Sequence, residues 1–501
     1  MFELFLDGFA SVLTVKTIAY ILGGVALGLV FGSIPGLTAT MAIAITLPIT
    51  FGMEPIVAMS LLMGLYIGGV SGGLIPAILL NLPGTPSSIA TTFDGYPMAQ
   101  KGQAGPAFGY AILFSFLGGL LSIFVLMLLA PPLAKVALKF GPFEYFAITI
   151  FALTMISSLS GGSLIKGLLS GMLGIALAMV GSAPIDAFPR FTFGFKDLNA
   201  GFQLLPVLIG VFAVSEIIKS SETKLKKGRS VQYKLKGFGF SVKDFFKQGW
   251  NGLRSALIGI GIGILPGIGG GTANIIAYVT AKNQSKKPEE FGKGIPDGVV
   301  ASETSNNAAV GGALIPLISL GIPGDTVTAL LLGGLILHGL SPGPLLMENN
   351  GDVVYGIFAA LIIANFFMIA MLYWGMRVFT KVLSIPQYIL LPIILVLSVV
   401  GAIGVNNRLF DAGALLFFGI LGYAMLKFNF PITPIILGFI LGPLAETNLR
   451  RGLMYSKGDF MPFLTQPIAA TFLALALLSI IFKIRSNYKK QRGIDSNTVG
   501  L

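Results

Sequence analysis

The feature that most constrains this chain is a series of long apolar stretches that contain no charged side chain. Thr17–Gly32, Gly109–Leu129, Gly356–Tyr373, Leu391–Val405 and Ala470–Phe482 run without an Asp, Glu, Lys or Arg, and semi-polar flanks extend each of them. A helix needs about 20 apolar residues to cross the hydrocarbon of a bilayer. In lipid every backbone N–H and C=O must be paired internally, so only helices and closed barrels can span. Barrel strands alternate apolar and polar residues, and these stretches do not. The chain is 54% hydrophobic and only 11% charged over 501 residues, where soluble domains carry about 25% charged residues. The fold class expected is therefore an all-α polytopic membrane protein.

Several chemistries are excluded or disfavoured. Cysteine is absent, which removes disulfides and thiol chemistry, and the single histidine, His338, cannot build a zinc site alone. His338 reads as a satisfied or interfacial side chain, no metal is assigned and no cofactor is expected. Neither a G-x-x-x-x-G-K-[ST] phosphate loop nor an H-E-x-x-H motif occurs. The N-terminal MFELFLDGF is acidic where a secretory signal is basic, so Val15–Phe31 reads as a retained first helix. The net charge of +12 is concentrated in Lys219–Lys247 and Lys483–Arg492. That clustering fits cytoplasmic segments under the positive-inside rule, with attraction to anionic lipid as a by-product, better than a nucleic-acid surface.

The chain repeats itself about the basic stretch at its centre. Gly68–Gly84 reads GGVSGGLIPAILLNLPG and Ala308–Gly324 reads AAVGGALIPLISLGIPG. The two agree without gaps at Pro76/Pro316, Pro83/Pro323, Gly72/Gly312 and Gly84/Gly324, among other positions. GSIPG at Gly32–Gly36 corresponds to GILPG at Gly263–Gly267, Gly161–Ile175 to Asn406–Ile420, and Pro206, Gly210 and Glu216 to Pro434, Gly438 and Glu446. With the central loop and tail both basic, and Glu3 and Asp7 at an N-terminus without a base, the first half crosses an odd number of times. The halves are then expected to be inverted-topology repeats. The expected organisation is a first transmembrane repeat over 1–218, a basic cytoplasmic linker over 219–252, a second repeat over 253–463, and an additional C-terminal helix with a basic tail over 464–501.

Glycine and proline gather in four stretches inside these apolar segments: Ile34–Thr40 (IPGLTAT), Asn81–Ser88 (NLPGTPSS), Leu265–Asn274 (LPGIGGGTAN) and Gly321–Thr328 (GIPGDTVT). Proline removes a helical donor and obstructs the preceding turn. Broken helices or re-entrant hairpins are expected there, and such backbone survives at membrane depth only when buried in protein or lining a watery cavity. Half-helix N-termini offer free N–H groups to an anion, and unwound carbonyls can hold a cation. The hydroxyls of Thr38, Thr40, Thr85, Ser87, Ser88, Thr272, Thr326 and Thr328 stand beside the breaks, and Asn306 and Asn307 fall in the polar interruption SETSNN. Close packing of helices on small residues is the competing explanation, and it is preferred for Gly118, Gly119, Gly171 and Gly174. Asp325 and Glu303 are candidates for cation coupling or for an aqueous vestibule, whereas Asp94 in FDGYP is expected to fix a turn.

At these same motifs the chain resembles the large permease subunit of tripartite tricarboxylate transporters, the TctA-type family. The resemblance rests on Gly32–Pro48, on Gly72–Gly102 and on the run Gly263–Pro344, which includes LPGIGGGTANIIAY, FGKGIPDGVVASETSNNAAVGGALIPLISLGIPGD and LHGLSPGP. It implies a permease of the bacterial inner membrane, with its C-terminus in the cytoplasm, that works with a small TctB-type membrane subunit and a periplasmic TctC-type solute-binding protein. It further implies uptake of tricarboxylates or related carboxylates, coupled to Na+ or H+. The solute-binding residues it implies are Pro83, Gly84, Thr85, Pro86, Ser87, Ser88, Asn306, Asn307, Pro323, Gly324, Asp325 and Thr326. Secondary solute or cation candidates are Pro35, Gly36, Thr38, Pro266, Gly267, Gly269, Thr272 and Glu303. Asp325 stands where a small or hydroxylated residue is the more usual expectation, so its role transfers less directly. The alternatives are an ion channel or a cation-coupled carrier independent of a binding protein, an intramembrane enzyme, and a non-transporting scaffold. An aspartyl protease fits poorly, because Asp325 lies in G-x-x-G-D and no Tyr-Asp motif accompanies it.

Overall fold

The computed structural model describes residues 2–159, 163–222, 242–383 and 387–498. Most of the basic central linker, residues 223–241, lies outside the described residues, as does Gly161 of the repeated Gly161–Ile175 stretch. Continuous apolar runs fold as helices here. The first half holds α1 (Phe2–Val12), α2 (Val15–Ser33), α3 (Ala39–Thr46), α4 (Pro55–Gly72), α5 (Leu74–Leu80), α6 (Ile89–Gln100) and α7 (Ala104–Ala137). It continues with α8 (Pro142–Leu159), α9 (Leu164–Ala178), α10 (Leu204–Ile209) and α11 (Ser215–Glu222), the last two joined by a π-helical turn over Gly210–Val214. The second half holds α12 (Val242–Lys247), α13 (Gly249–Ile264), α14 (Gly269–Gln284), α15 (Pro296–Leu320), α16 (Thr326–Leu337), α17 (Pro344–Asn349) and α18 (Gly351–Val382). It ends with α19 (Gln387–Asn406), α20 (Leu409–Lys427), α21 (Thr433–Tyr455), α22 (Met461–Thr465) and α23 (Pro467–Thr498). Among the described residues the only strands are Gly181–Ser182 and Pro189–Arg190, paired antiparallel.

Among the described residues eight helical stretches are long and apolar enough to cross a membrane, and every apolar run named above falls within one of them. The chain is an all-α, multi-pass membrane protein. One element is absent from the sequence reading: α1 is a helix of its own, and its Gly8 lies on the backbone of Tyr355 and Gly356 in α18.

Packing divides the chain into two compact units, and each draws on both halves. One comprises Met1–Leu138 with Leu208–Ile420, the other Lys139–Val207 with Leu421–Leu501. In the first unit α2 lies along α4, with Gly24, Gly28 and Gly32 against the backbone of Leu61, Leu65 and Gly69. In the same unit α13 lies along α15 in the corresponding way, with Gly259 and Gly263 against Ser305 and Ala309. Small side chains let membrane helices approach this closely. Gly118 on α7 likewise meets the Thr304 carbonyl and Gly119 the Asn365 carboxamide. These are the packing roles expected of them. The later repeated segments pair crosswise: Gly210 of the first half meets the Leu415 carbonyl of α20 in one unit, and Gly174 of α9 meets the Ile435 carbonyl of α21 in the other.

In the second unit, Phe143, Ala147, Phe463 and Ala469 form a core, with the rings of Phe143 and Phe463 edge to face at 4.9 Å. Arg190 on the short hairpin grips Glu446 of α21 with two nitrogens, at 2.7 and 3.1 Å. Such a bidentate pair fixes geometry as well as charge.

Candidate solute-binding site

Each of the four glycine–proline stretches is a turn between two helices, and each new helix starts on a hydroxyl, a carboxylate or a positive-φ glycine. After α2, Gly36 adopts φ +91° and Thr38 caps α3, its hydroxyl accepting the Met41 N–H at 3.2 Å. After α13, Gly267 and Gly269 adopt φ +80° and +64° before α14 begins. Those angles are free of steric cost only for glycine. After α5, Asn81 is left-handed, and Thr85 and Ser88 cap each other's backbone at the start of a short 3-10 turn leading into α6. After α15, Gly321 is left-handed, and Asp325 and Thr328 form the same reciprocal capping box at the start of α16. Capping of this kind satisfies donors that the helix itself cannot pair.

The turns are gathered in one place within the first unit. A Cβ on Gly84 would collide with the Gly32 carbonyl and the Gly73 Cα, and one on Gly324 would collide with the Gly263 carbonyl and the Ala313 Cα. The duplicated glycines thus have duplicated neighbours. The Gly267 N–H donates to the Gly324 carbonyl at 2.7 Å. Between halves, Thr40 and Thr326 share a hydroxyl contact at 3.2 Å. The Asn274 Nδ2 donates to the Ser87 carbonyl at 2.6 Å, while its Oδ1 accepts the Ala90 N–H at 3.3 Å. The start of α3 therefore meets the start of α16, and the start of α14 meets the start of α6. Thr38, Thr40, Ser87, Gly270, Thr272, Asp325 and Thr326 are all half-buried along this junction, and Thr85 is buried with its hydroxyl 3.1 Å from that of Ser87.

SETSNN is a polar interruption in composition only. Helix α15 runs unbroken from Pro296 to Leu320, and residues 302–307 are buried within it. Thr304 and Ser305 turn their hydroxyls back onto the carbonyls of Val300 and Ala301, at 2.6 and 2.8 Å. That pairing removes the cost of burying them. The two asparagines differ. Asn307 accepts the Ser71 hydroxyl at 2.7 Å and donates to the Glu303 carbonyl at 3.3 Å, which ties α15 to α4. Asn306 is 1% exposed, yet neither atom of its carboxamide reaches a hydrogen-bond partner. Its Oδ1 lies beside Gly270, whose other near neighbour is Ser87.

The acidic candidates also separate. Asp325 is consumed as a cap: Oδ1 accepts the Thr328 N–H at 2.7 Å, and Oδ2 accepts the Tyr66 hydroxyl at 2.7 Å. Glu303 is fully buried and touches the hydroxyls of Thr91 and Ser115. Asp94 does fix a turn, but not that of FDGYP, which is helical. Its Oδ1 accepts the N–H groups of Gly292, Gly294 and Ile295 at 2.9, 2.7 and 3.0 Å, and its Oδ2 the Tyr278 hydroxyl at 2.8 Å. His338 closes α16, its Nε2 3.0 Å from the Thr50 hydroxyl. Asn274, Tyr66, Ser71, Thr91 and Ser115 escaped the sequence reading. Asn274 is a single amide near the start of α14 and carries a weak signal. The others are ordinary components of membrane helices until their partners are known.

Helix starts, hydroxyls and the Asn306 carboxamide thus converge on broken backbone inside a multi-pass membrane protein. Residues 18–437 match the family described as the tripartite tricarboxylate transporter TctA family, and the chain belongs to it. It is a component of a transport system that has more than one subunit. An uncharacterized 52.8 kDa protein in the TAR-I ttuC' 3' region of Agrobacterium vitis is 39% identical over 485 residues, which cover 97% of this chain and 96% of the relative. A protein in the TAR-II ttuC' 3' region of the same organism is 38% identical over 231 residues, covering 46% of this chain and 96% of that relative. No solved structure matches the chain.

Proposed function

We propose that the chain is the large membrane subunit of a binding-protein-dependent secondary transporter that takes up tricarboxylates or related carboxylates, driven by a gradient of Na+ or H+. The observation that carries this reading is the meeting of four helix-breaking turns beside the unpartnered carboxamide of Asn306. A polycarboxylate presents oxygens in excess of its hydrogens, so it needs donors. Helix starts supply N–H groups and partial positive charge, and Thr85, Ser87, Thr326 and Asn306 supply side-chain donors. The solute site proposed is Pro83–Ser88 with Asn306, Asn307 and Pro323–Thr326, in which Asp325 and Asn307 act by positioning the second turn and α15 through their bonds to Thr328, Tyr66 and Ser71. Pro35, Gly36, Thr38, Pro266, Gly267, Gly269, Thr272 and Glu303 contribute to solute or cation binding around it.

The partners proposed are a small TctB-type membrane subunit and a periplasmic TctC-type binding protein that delivers the solute, with the complex in the bacterial inner membrane. The four turns act as re-entrant breaks at membrane depth. The halves 1–218 and 253–463 are inverted repeats about the cytoplasmic linker 219–252, with α23 added outside the repeat and its basic tail in the cytoplasm. The matched surroundings of Gly84 and Gly324, and the basic charge of both linker and tail, support that topology. The test is uptake of radiolabelled citrate into proteoliposomes holding both membrane subunits. Accumulation should require an ion gradient and a citrate-loaded binding protein. Gradient-independent flux at channel rates overturns the reading.

A further inference from the structure

We propose that Glu303 is the site at which the coupling proton binds, so that the gradient used by this transporter is one of protons. The inference rests on the transport reading above and deepens it. Glu303 lies about two turns into α15, with 0% of its surface exposed. An ionised carboxylate buried away from water is costly, and inside membrane proteins such residues pair with a cation or take part in ion movement. None of the ion pairs formed among the described residues includes Glu303. Its polar neighbours are uncharged: Thr91 Oγ1 at 2.5 Å from Oε1 and Ser115 Oγ at 3.0 Å from Oε2, with Ser302 Oγ 3.1 Å from Thr91 Oγ1 and the Asn306 side chain close by.

The nature of those partners distinguishes Glu303 from Asp94. Backbone N–H groups can only donate, so Asp94, which accepts three of them, is held as an acceptor. A hydroxyl donates or accepts according to its rotation. Around Glu303 the hydroxyls of Thr91 and Ser115 donate to the carboxylate, and either can turn to accept from the protonated acid. Both protonation states are satisfied with the heavy atoms in place, which is what a site that loads and unloads a proton needs. A bound metal cation instead requires several oxygen lone pairs directed at it. The carbonyls of α15 are engaged in its own helix, and Ser302, Thr304 and Ser305 already hydrogen-bond back onto several of them.

Several titratable groups on the elements packed against α15 bond elsewhere, while Lys135 and Lys282 stand in the last turns of α7 and α14 and Glu348 stands on α17. Tyr66 on α4 bonds Asp325 of α16, and Asp94 on α6 bonds Tyr278 on α14. Arg254 on α13 bonds Gln284 and Asn251, and Tyr110 on α7 lies more than a turn before Ser115. The link to the solute runs through shared helices. Glu303 and Asn306 are three residues apart on α15, and Thr91 follows Ser87 by four residues, so proton and solute are read by adjacent turns of the same two segments. Neutralising Glu303 removes a negative charge beside an anionic solute. Each ligand therefore favours the other, which is the reciprocity that coupling demands.

The test compares wild type with Glu303→Gln and Glu303→Asp in proteoliposomes that hold both membrane subunits and loaded binding protein, with radiolabelled citrate as the probe. Glutamine keeps the shape and one acceptor, and the Ser115 hydroxyl can turn to accept from its amide. E303Q should lose accumulation driven by a pH gradient by about tenfold or more, with citrate–citrate exchange at equal pH in the wild type as the reference mode. E303D should accumulate citrate with a displaced pH profile. Independently of any solute, an infrared pH titration of the purified chain should show a protonated-carboxyl carbonyl band that E303Q lacks. Undiminished pH-driven accumulation in E303Q overturns the proposal, as does an unchanged infrared titration. Wild-type accumulation that follows a sodium gradient at constant pH and is lost in E303Q overturns it in favour of a metal-cation site. Absence of citrate flux in wild type in both modes defeats the transport reading instead, and the infrared titration still decides Glu303.

Discussion

The turn after α5 and the turn after α15 are built from duplicated sequence on one plan, and they differ at the residue that caps the new helix. Both carry Pro-Gly, both press that glycine onto a glycine carbonyl of a neighbouring helix, and both start the next element with a capping box. In the first the cap is Thr85, with Ser87 alongside. In the second it is Asp325, whose oxygens are occupied by Thr328 and Tyr66. The difference teaches that a carboxylate near a solute site is not thereby a solute or ion ligand. Both Asp325 oxygens accept hydrogen bonds within the fold, whereas the first turn carries no charge and its Ser87 carbonyl accepts from Asn274.

The common plan is the easiest part to break. Gly84→Ala and Gly324→Ala each drive a Cβ into backbone that cannot move aside. Overpacking costs typically about 1–3 kcal/mol, so both variants should show lowered thermal stability in detergent and little folded protein, by similar amounts. A large inequality would mean that the two turns are not equivalent.

Exchanging the caps sharpens the contrast. Thr85→Asp places a negative charge where an anionic solute is to bind, and citrate uptake should fall to background with the capping box retained. Asp325→Thr installs the first turn's cap in the second and should keep most uptake, since threonine caps a helix nearly as well as aspartate. Retained uptake in T85D, or abolished uptake in D325T, would reverse the roles assigned to the two turns.

The smallest stability effects separate the neighbouring asparagines. Asn307→Ala loses the Ser71 bond, and hydrogen bonds between membrane helices are worth about 0.6 kcal/mol on average. It should be slightly destabilised with uptake reduced only modestly. Asn306→Ala gives up no hydrogen bond, so its stability should match wild type while uptake falls severely. The reverse pattern would move the solute contact from Asn306 to Asn307.

Much of this was readable along the chain because the responsible forces are local. Hydropathy over about 20 residues marks a membrane helix, and Pro-Gly within such a run marks its interruption. All four interruptions named from composition are turns between helices. Composition alone did not show how the polar stretch SETSNN is accommodated: α15 passes through it, because serine and threonine return their hydroxyls to the helix's own carbonyls. The acidic N-terminal segment likewise gave no sign that α1 would dock on α18.

By itself the sequence determined the solvent, the helical class, the repeat and the places where helices stop, since each of these depends on residues a few positions apart. Only the tertiary structure decided which polar groups meet. Thr40 finds Thr326, Asn274 finds Ser87, Tyr66 finds Asp325, and Thr91 finds Glu303 across hundreds of residues. Those meetings follow from how close glycine-lined helices can pack, and no local pattern encodes them. They also bring Gly270 and Ser87 beside the Asn306 carboxamide.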